Sequence, residues 1–227
     1  MEIGPVKALI GGSVLLIGGA VGGTNVSKLF KSSHPRIAEV EGGYVDHKDD
    51  LGGATNHGVT ERVARESGYT GDMRDLPRAV ADSIAFHRYW LPLQLDSIAW
   101  AGETPDTSKD ARGPYQALAE QLYDISYNAG PGRAGRTLQR CLNALNNQGR
   151  LWRDVRVDGV VGSGTMQAFS AYVKRRGHAG ALPIWGCVVG FQGGFYLAIS
   201  EARERNESFT YGWFVRLNKY IQPKEDE

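Results

Sequence analysis

The chain has 227 residues, with 26 Lys and Arg against 25 Asp and Glu, for a formal net charge of +1. That near-balance excludes a global field drawing nucleic acid or an anionic membrane, so any preference for a polyanion is local. The length suffices for one compact core with an appendage. The two cysteines, Cys141 and Cys187, exclude a disulfide framework and a zinc site. Two buried free thiols are the expectation, with a single bond the alternative in an oxidising compartment.

Ala8 to Val26, ALIGGSVLLIGGAVGGTNV, carries no charge and lies between Lys7 and Lys28. As a helix it would run roughly 28 Å, close to the roughly 30 Å of a bilayer's hydrocarbon core. Its glycines, at positions 11, 12, 18, 19, 22 and 23, dilute the apolar content, so it reads as a marginal anchor. A cleaved signal peptide and a Gly-rich core helix are the other readings. Lys28, Lys31 and Arg36 follow it while only Lys7 precedes it, a charge distribution that runs against export of the body.

SKLFKSSHPRIAEVEGGY predicts a short amphipathic helix beginning near Ser33, with Pro35 in its first turn and Gly42 and Gly43 stopping it. Glu41 then stands at the helix C-terminus, where the negative end of the dipole raises its pKa and suits it to a general acid. Glu39, two positions away, points to the opposite side of that helix. From Glu41 to Thr60, EGGYVDHKDDLGGATNHGVT shows neither the helical nor the strand period. It is a loop or small hairpin, either an active-site segment or a solvated turn. Thr60 is placed as the N-cap of the helix in VTERVARESGY.

From Asp75, DLPRAVADSIAFHRYWLPLQL puts Leu76, Val80, Ile84, Tyr89 and Trp90 at helical spacing, with Pro92 ending the run. AGETPDTSKDARGP, Ala101 to Pro114, marks a long loop or a boundary between two lobes. YQALAEQLYDISYNAGPGRAGRTLQRCLNAL predicts two helices broken at NAGPG, with Leu138, Cys141, Leu142 and Leu145 on one face of the second. VDGVVGSGTMQAFSAYVKRRG reads as a tight turn and a helix capped by Ser163 or Thr165. LPIWGCVVGFQGGFYLAIS is read as the central buried helix, with a membrane span as the alternative. The last helix, ESFTYGWFVRLNKY, groups Trp213, Leu217 and Tyr220. The sum is all-α with one small polar β-like excursion.

If Glu41 ends a helix and the loop folds back, Asp50 and Thr55 face it across a cleft. That arrangement fits glycoside hydrolysis, in which one carboxylic acid protonates the leaving oxygen and a second carboxylate works from the opposite face of the sugar. The Thr55 hydroxyl positions water, and Gly42, Gly43, Gly52 and Gly53 admit a bulky polymer. The rival chemistry is a metal site from His47, His57 and one of Asp46, Asp49 and Asp50, which no helical H-x-x-x-H pair supports. Lys48 stands where a Ca²⁺ loop wants an oxygen ligand. A phosphate loop and a nucleophile elbow are absent from the sequence, and neither a metal nor a cofactor is expected.

EGGYVDHKDDLGGATNHGVT, followed by ESGYTGDMRDL and YW, resembles the N-terminal signature of the glycoside hydrolase 108 family of phage endolysins and related N-acetylmuramidases. DISYNAGPGRAGRTLQRCLN, VDGVVGSGTMQAF and YGWFVRLNKY resemble the predicted peptidoglycan-binding region that accompanies that family. The resemblance implies a mainly α, lysozyme-like helical domain with a small β-hairpin at the active site and an N-terminal apolar helix. Its implied divisions are 1–30 for a weak anchor, 31–126 for the catalytic region and 127–227 for peptidoglycan-binding-like helices packed into the same body.

The activity so implied is an endolysin's: hydrolysis of the β-1,4 bond between N-acetylmuramic acid and N-acetylglucosamine, lysing the host cell. Glu41 corresponds to the general acid, Asp50 to the second carboxylate and Thr55 to the water-positioning hydroxyl. The gap from Asp50 to Thr55 is one residue shorter than the usual phage lysozyme spacing, which leaves Asn56 or Thr60 as alternatives for Thr55. Substrate contacts are expected from Gly42, Gly43, Tyr44, Asn56, Thr60 and Asn128. A non-catalytic peptidoglycan binder and a lytic transglycosylase are the competing readings. Ala8 to Val26 is similar to the signal-anchor-release segments of some phage endolysins. That implies export by the host Sec machinery, tethering to the inner membrane facing the periplasm, and release as a soluble monomer that binds no nucleic acid.

Overall fold

The computed structural model describes residues 6–10, 13–17, 26–38, 44–45, 53–103 and 113–221. The chain divides into two compact units, Met1–Pro92 and Leu93–Glu227. Helices dominate both, as the sequence predicts.

The first unit begins with strands β1 (Val6–Ile10) and β2 (Ser13–Ile17), paired antiparallel with Ile10 opposite Ser13. They occupy the first part of the stretch expected as an apolar helix, Ala8 to Val26, of which 11–12 and 18–25 lie outside the described residues. Each glycine in a helix costs about 1 kcal/mol relative to alanine, and Val6, Val14, Ile10 and Ile17 favour extended backbone. Helix α1 (Lys28–Ala38) starts earlier than the predicted Ser33, because Ser27 caps it: its Oγ accepts from the Phe30 N–H at 3.1 Å. Pro35 consequently lies inside the helix and not in its first turn. Phe30 stacks on His34 at 4.7 Å and meets Phe86 and Trp90 edge-on at 5.3 and 5.6 Å. Such pairs add about 0.5–1.5 kcal/mol each beyond area burial.

Strands β3 (Thr55–Asn56) and β4 (Val59–Thr60) form a two-residue hairpin that runs directly into α2 (Glu61–Glu66). After a 3₁₀ turn at Met73–Asp75, α3 (Arg78–Ala85) continues into a π-helical turn at Phe86–Trp90. Val59, Val63, Met73, Leu76 and Ile84 share one buried cluster, against which Tyr44, Tyr69 and Val80 pack.

The second unit contains α4 (Leu95–Ala99), α5 (Gln116–Ala129), α6 (Pro131–Ala144), α7 (Ser163–Arg176), α8 (Ala181–Glu201) and α9 (Glu207–Ile221). Its central buried helix is α5, whose residues from Leu118 through Ser126 are all buried. Helix α8, expected in that place, buries one stripe at four-residue spacing, Ile184, Val188, Gln192, Tyr196 and Ser200. Its outer side leaves Leu182 70% and Leu197 50% exposed. An apolar composition all round therefore did not mean burial all round. By length and composition, 163–201 is the one stretch among the described residues apolar enough to cross a membrane.

Gly130, at φ 87, ends α5, and Pro131 opens α6, the glycine supplying a left-handed turn and the proline a helical φ. Buried Gln139 on α6 ties down the 158–165 turn: its amide donates to Asp158 Oδ1, Val160 O and Thr165 Oγ1, and its carbonyl accepts from Gly159 N–H. Cys141 and Cys187 are bonded, joining α6 to α8, in place of the two free thiols expected. Residues 46 apart in sequence become neighbours only once α6 and α8 pack, which spacing alone does not reveal.

Candidate active site

The polar stretch of the first unit is built around the β3–β4 hairpin. His57 and Gly58 form its loop with φ of 50° and 73°, the type I′ geometry whose twist suits an antiparallel pair. Asn56 is buried, and its Nδ2 donates to the carbonyls of Met73 and Arg74 at 2.7 and 3.2 Å. The hairpin is thereby fixed to the 3₁₀ turn. Thr60 stands opposite Thr55 in the register and caps α2, its Oγ1 accepting from Val63 N–H at 3.4 Å. Glu61 N–H donates to Ala54 O at 2.7 Å, so strand and helix turn a corner within one residue.

A third segment pairs on the other side. Val45 and Thr55 exchange both backbone hydrogen bonds, N–H to O at 2.8 and 2.7 Å. Next to Val45, Tyr44 packs on the core cluster under the Arg74 guanidinium, 5.3 Å from its ring centroid. The Thr55 side chain is half-buried, and among the described residues its hydroxyl makes no hydrogen bond. Arg65 secures the far end of α2, donating to Tyr69 O, Gly71 O and Glu61 Oε1 at 3.0, 2.7 and 2.8 Å.

Of the residues expected to act here, Glu41, Gly42, Gly43 and Asp50 lie outside the described residues, as do Glu39, Asp46, His47 and Asp49. Tyr44, Thr55, Asn56 and Thr60 come together on the small sheet and its helix. Asn56 and Thr60 both hold structure, since the amide of one and the lone pair of the other are occupied by backbone. His57 forms the turn, and among the described residues no group of three or more His, Cys, Asp and Glu could hold a metal ion.

Asn128 belongs to the second unit. Its Nδ2 donates to the carbonyl and Oδ1 of Asp124 at 2.8 and 3.2 Å, and its Oδ1 accepts from Arg216. It lines a cavity of about 680 Å³ that also receives Arg133 and Arg140. Below it the buried Gln192 donates to Asp124 Oδ2 and to Tyr196 Oη, each at 2.7 Å, and accepts from Gln121. Burial, reinforced by the charge of Asp124, pushes the Tyr196 hydroxyl above its ordinary pKa. Asn128, expected from the sequence as a substrate contact, thus lines this cavity beside arginines the sequence reading does not name; the seven-residue spacing of Arg133 and Arg140 on α6, two helical turns on one face, is the signal that groups those two.

Residues 34–130 match the family described as Glycosyl hydrolase 108, and residues 133–218 match the one described as Predicted Peptidoglycan domain. No curated protein matches the chain. Among solved structures the chain is similar to that titled "Structure of Brucella abortus SagA", with 22% identity and a TM-score of 0.55 over 84% of this chain and 90% of that one. At that identity the likeness is one of fold.

Proposed function

We propose, for a chain that belongs to the glycosyl hydrolase 108 family over residues 34–130 and carries a predicted peptidoglycan domain over residues 133–218, hydrolysis of the β-1,4 bond between N-acetylmuramic acid and N-acetylglucosamine. The two domains make it a glycoside hydrolase acting on peptidoglycan. Glu41 donates its proton to the bridging oxygen as the bond to the sugar's anomeric carbon breaks. Asp50 supplies the second carboxylate, and the Thr55 hydroxyl orients the water that completes the reaction.

The observation that carries this assignment is the Val45–Thr55 pair. Val45 and Thr55 are thereby neighbours, and Asp50 lies five residues from each in sequence, so connectivity alone keeps it within about 18 Å of either. Glu41 precedes Val45 by four residues, a reach of at most about 14 Å even when fully extended. Connectivity supports a reading in which Glu41 and Asp50 act beside Thr55, whose hydroxyl makes no hydrogen bond among the described residues.

The test is digestion of purified peptidoglycan, with mass spectrometry of the reduced products. Wild type is expected to leave reducible N-acetylmuramic acid ends, and Glu41→Gln to lower the rate by about 10²- to 10⁴-fold, the range for a lost general acid. Thr55→Val is expected to lose about 10²-fold through a misplaced water, with Thr55→Ser restoring most of it. Anhydro-muramic ends would replace hydrolysis with transglycosylation; equal rates for wild type and Glu41→Gln would remove Glu41 from the site.

The same reading makes the protein an exported endolysin, tethered through residues 8–26 before release and acting to lyse the host cell. A single segment in a bilayer must satisfy its backbone internally and so be helical, so tethering requires Val6–Ile10 and Ser13–Ile17 to give up their β1–β2 pairing. The Cys141–Cys187 bond supports an oxidising compartment. Two free thiols in protein harvested directly from cells would sink export.

A further inference from the structure

The cavity beside Asn128 lies wholly within the second unit, walled by α5, α6, α8 and α9. Its residues include three arginines, Arg133, Arg140 and Arg216, and among those described no Asp or Glu. None of the three makes an ion pair among the described residues. Each is nevertheless held. The Arg133 guanidinium lies 3.8 Å from the Phe195 ring centroid and that of Arg140 4.3 Å from Phe191, while Arg216 donates to Asn128. Stacking on an aromatic face fixes the guanidinium plane and leaves its in-plane N–H edge to a ligand.

The scaffold behind them is equally fixed. Arg133 over Phe195, Arg140 over Phe191 and the Cys141–Cys187 bond are successive links between α6 and α8. Asn128 is oriented by the buried Asp124, itself held by Gln192. Surface arginines that serve only solubility are mobile and mixed with acids; three restrained ones around a concavity of ligand size are a receptor for an anion. The planar fork of each matches a carboxylate or a phosphate.

We propose that this cavity binds the stem peptides of peptidoglycan through their carboxylates. The inference rests on peptidoglycan being the substrate, and the three arginines fall inside the matched peptidoglycan domain, residues 133–218. Within that polymer the N-acetylated sugars are uncharged. The stem peptide carries the anionic groups, a free carboxylate on its γ-linked residue and others at its C-terminal end. Its alanine methyl groups suit the apolar faces of Phe191, Phe195 and Trp213 lining the same cavity. Glycan cleavage in one unit and stem-peptide capture in the other would make the enzyme read both components of the wall.

The experiment is titration of the full chain, followed by Trp fluorescence and calorimetry, with a synthetic stem pentapeptide, the same peptide with its carboxylates amidated, and a peptide-free N-acetylglucosamine oligomer. Saturable binding of the free-acid peptide is expected, weakened about tenfold or more by amidation and about tenfold by Arg140→Gln, a loss typical of one charge-assisted contact. Since Arg140 is exposed, Arg140→Gln should keep the wild-type circular dichroism; the amidated peptide gives the same answer without any variant. Equal affinity for acid and amide, or no binding by a chain that digests peptidoglycan, would overturn the proposal and leave the hydrolase reading standing. Peptide binding by a chain that cleaves no glycan would do the reverse. Arginine-dependent binding to phosphatidylglycerol vesicles without peptide binding would assign the cavity to a lipid headgroup and overturn it.

Discussion

Gly135 on α6 faces Gly159 so closely that a Cβ built on it would stand 2.2 Å from the Gly159 carbonyl oxygen. Gly159, with a φ of +87°, meets the same helix one turn earlier, where a Cβ on it would lie 2.5 Å from Gly132 O. Backbone cannot yield as a flexible side chain can, so Gly135→Ala is expected to cost about 2 kcal/mol. Gly164, on α7 with nothing within 4 Å of a Cβ, provides the contrast; alanine there should be neutral or stabilise by about 0.5 kcal/mol. Thermal midpoints of the two variants decide the matter, and equal midpoints would mean that α6 does not seat on the 158–160 turn.

What could be read in advance follows the range of the interactions involved. Thr60 as N-cap is a local feature, written in Thr-Glu before an apolar run, and it holds. The break at NAGPG is local too, Gly130 turning and Pro131 restarting the helix. Pro35, a residue that favours a first turn, points to a start near Ser33, whereas the Ser27 cap sets the actual start at Lys28. The misreading of α8 has another origin. Its composition is apolar on every side, and only packing determines that Gln192 faces inward, to Asp124 and Gln121, while Leu197 faces out. The arginine cavity is not legible in the sequence because Arg133 and Arg216 come to line one concavity only once four helices pack. The Val45–Thr55 bridge was legible only as a hairpin of unstated register.

The Cys141–Cys187 bond spans 46 residues of the second unit. Closing a loop of that length removes unfolded-chain entropy worth about 4 kcal/mol. Reduction with a phosphine, or Cys141→Ser with Cys187→Ser, is expected to lower the thermal midpoint by about 10 °C. Because the bond joins the two helices that carry Arg140 and Phe191, affinity for an anionic ligand should fall with it. An unchanged midpoint after complete reduction, verified by thiol alkylation, would show that packing alone holds α6 to α8.

His34 gives the first unit a pH dependence whose sign follows from its surroundings. Burial draws its pKa below the ordinary 6.5, against the opposing pull of Asp82, with the Arg78 charge assisting the decrease. At neutral pH the ring is therefore uncharged, stacked on Phe30, with Nε2 3.3 Å from Asp82 Oδ1. The unfolded chain protonates this imidazole at its ordinary value while the folded one resists, so below that value the unfolded state binds more protons. Stability then falls as pH falls. The thermal midpoint of wild type is expected to decline from about pH 7.5 to about pH 5, above the range where most carboxylates titrate. His34→Gln, which cannot titrate, should be less stable at neutral pH because Asp82 and Phe30 lose their partner, and its midpoint should decline less over the same interval. The informative quantity is the gap between the two curves, which should narrow toward acid; a gap that stays constant or widens would mean that His34 keeps its proton in the fold and pairs with Asp82 as a cation.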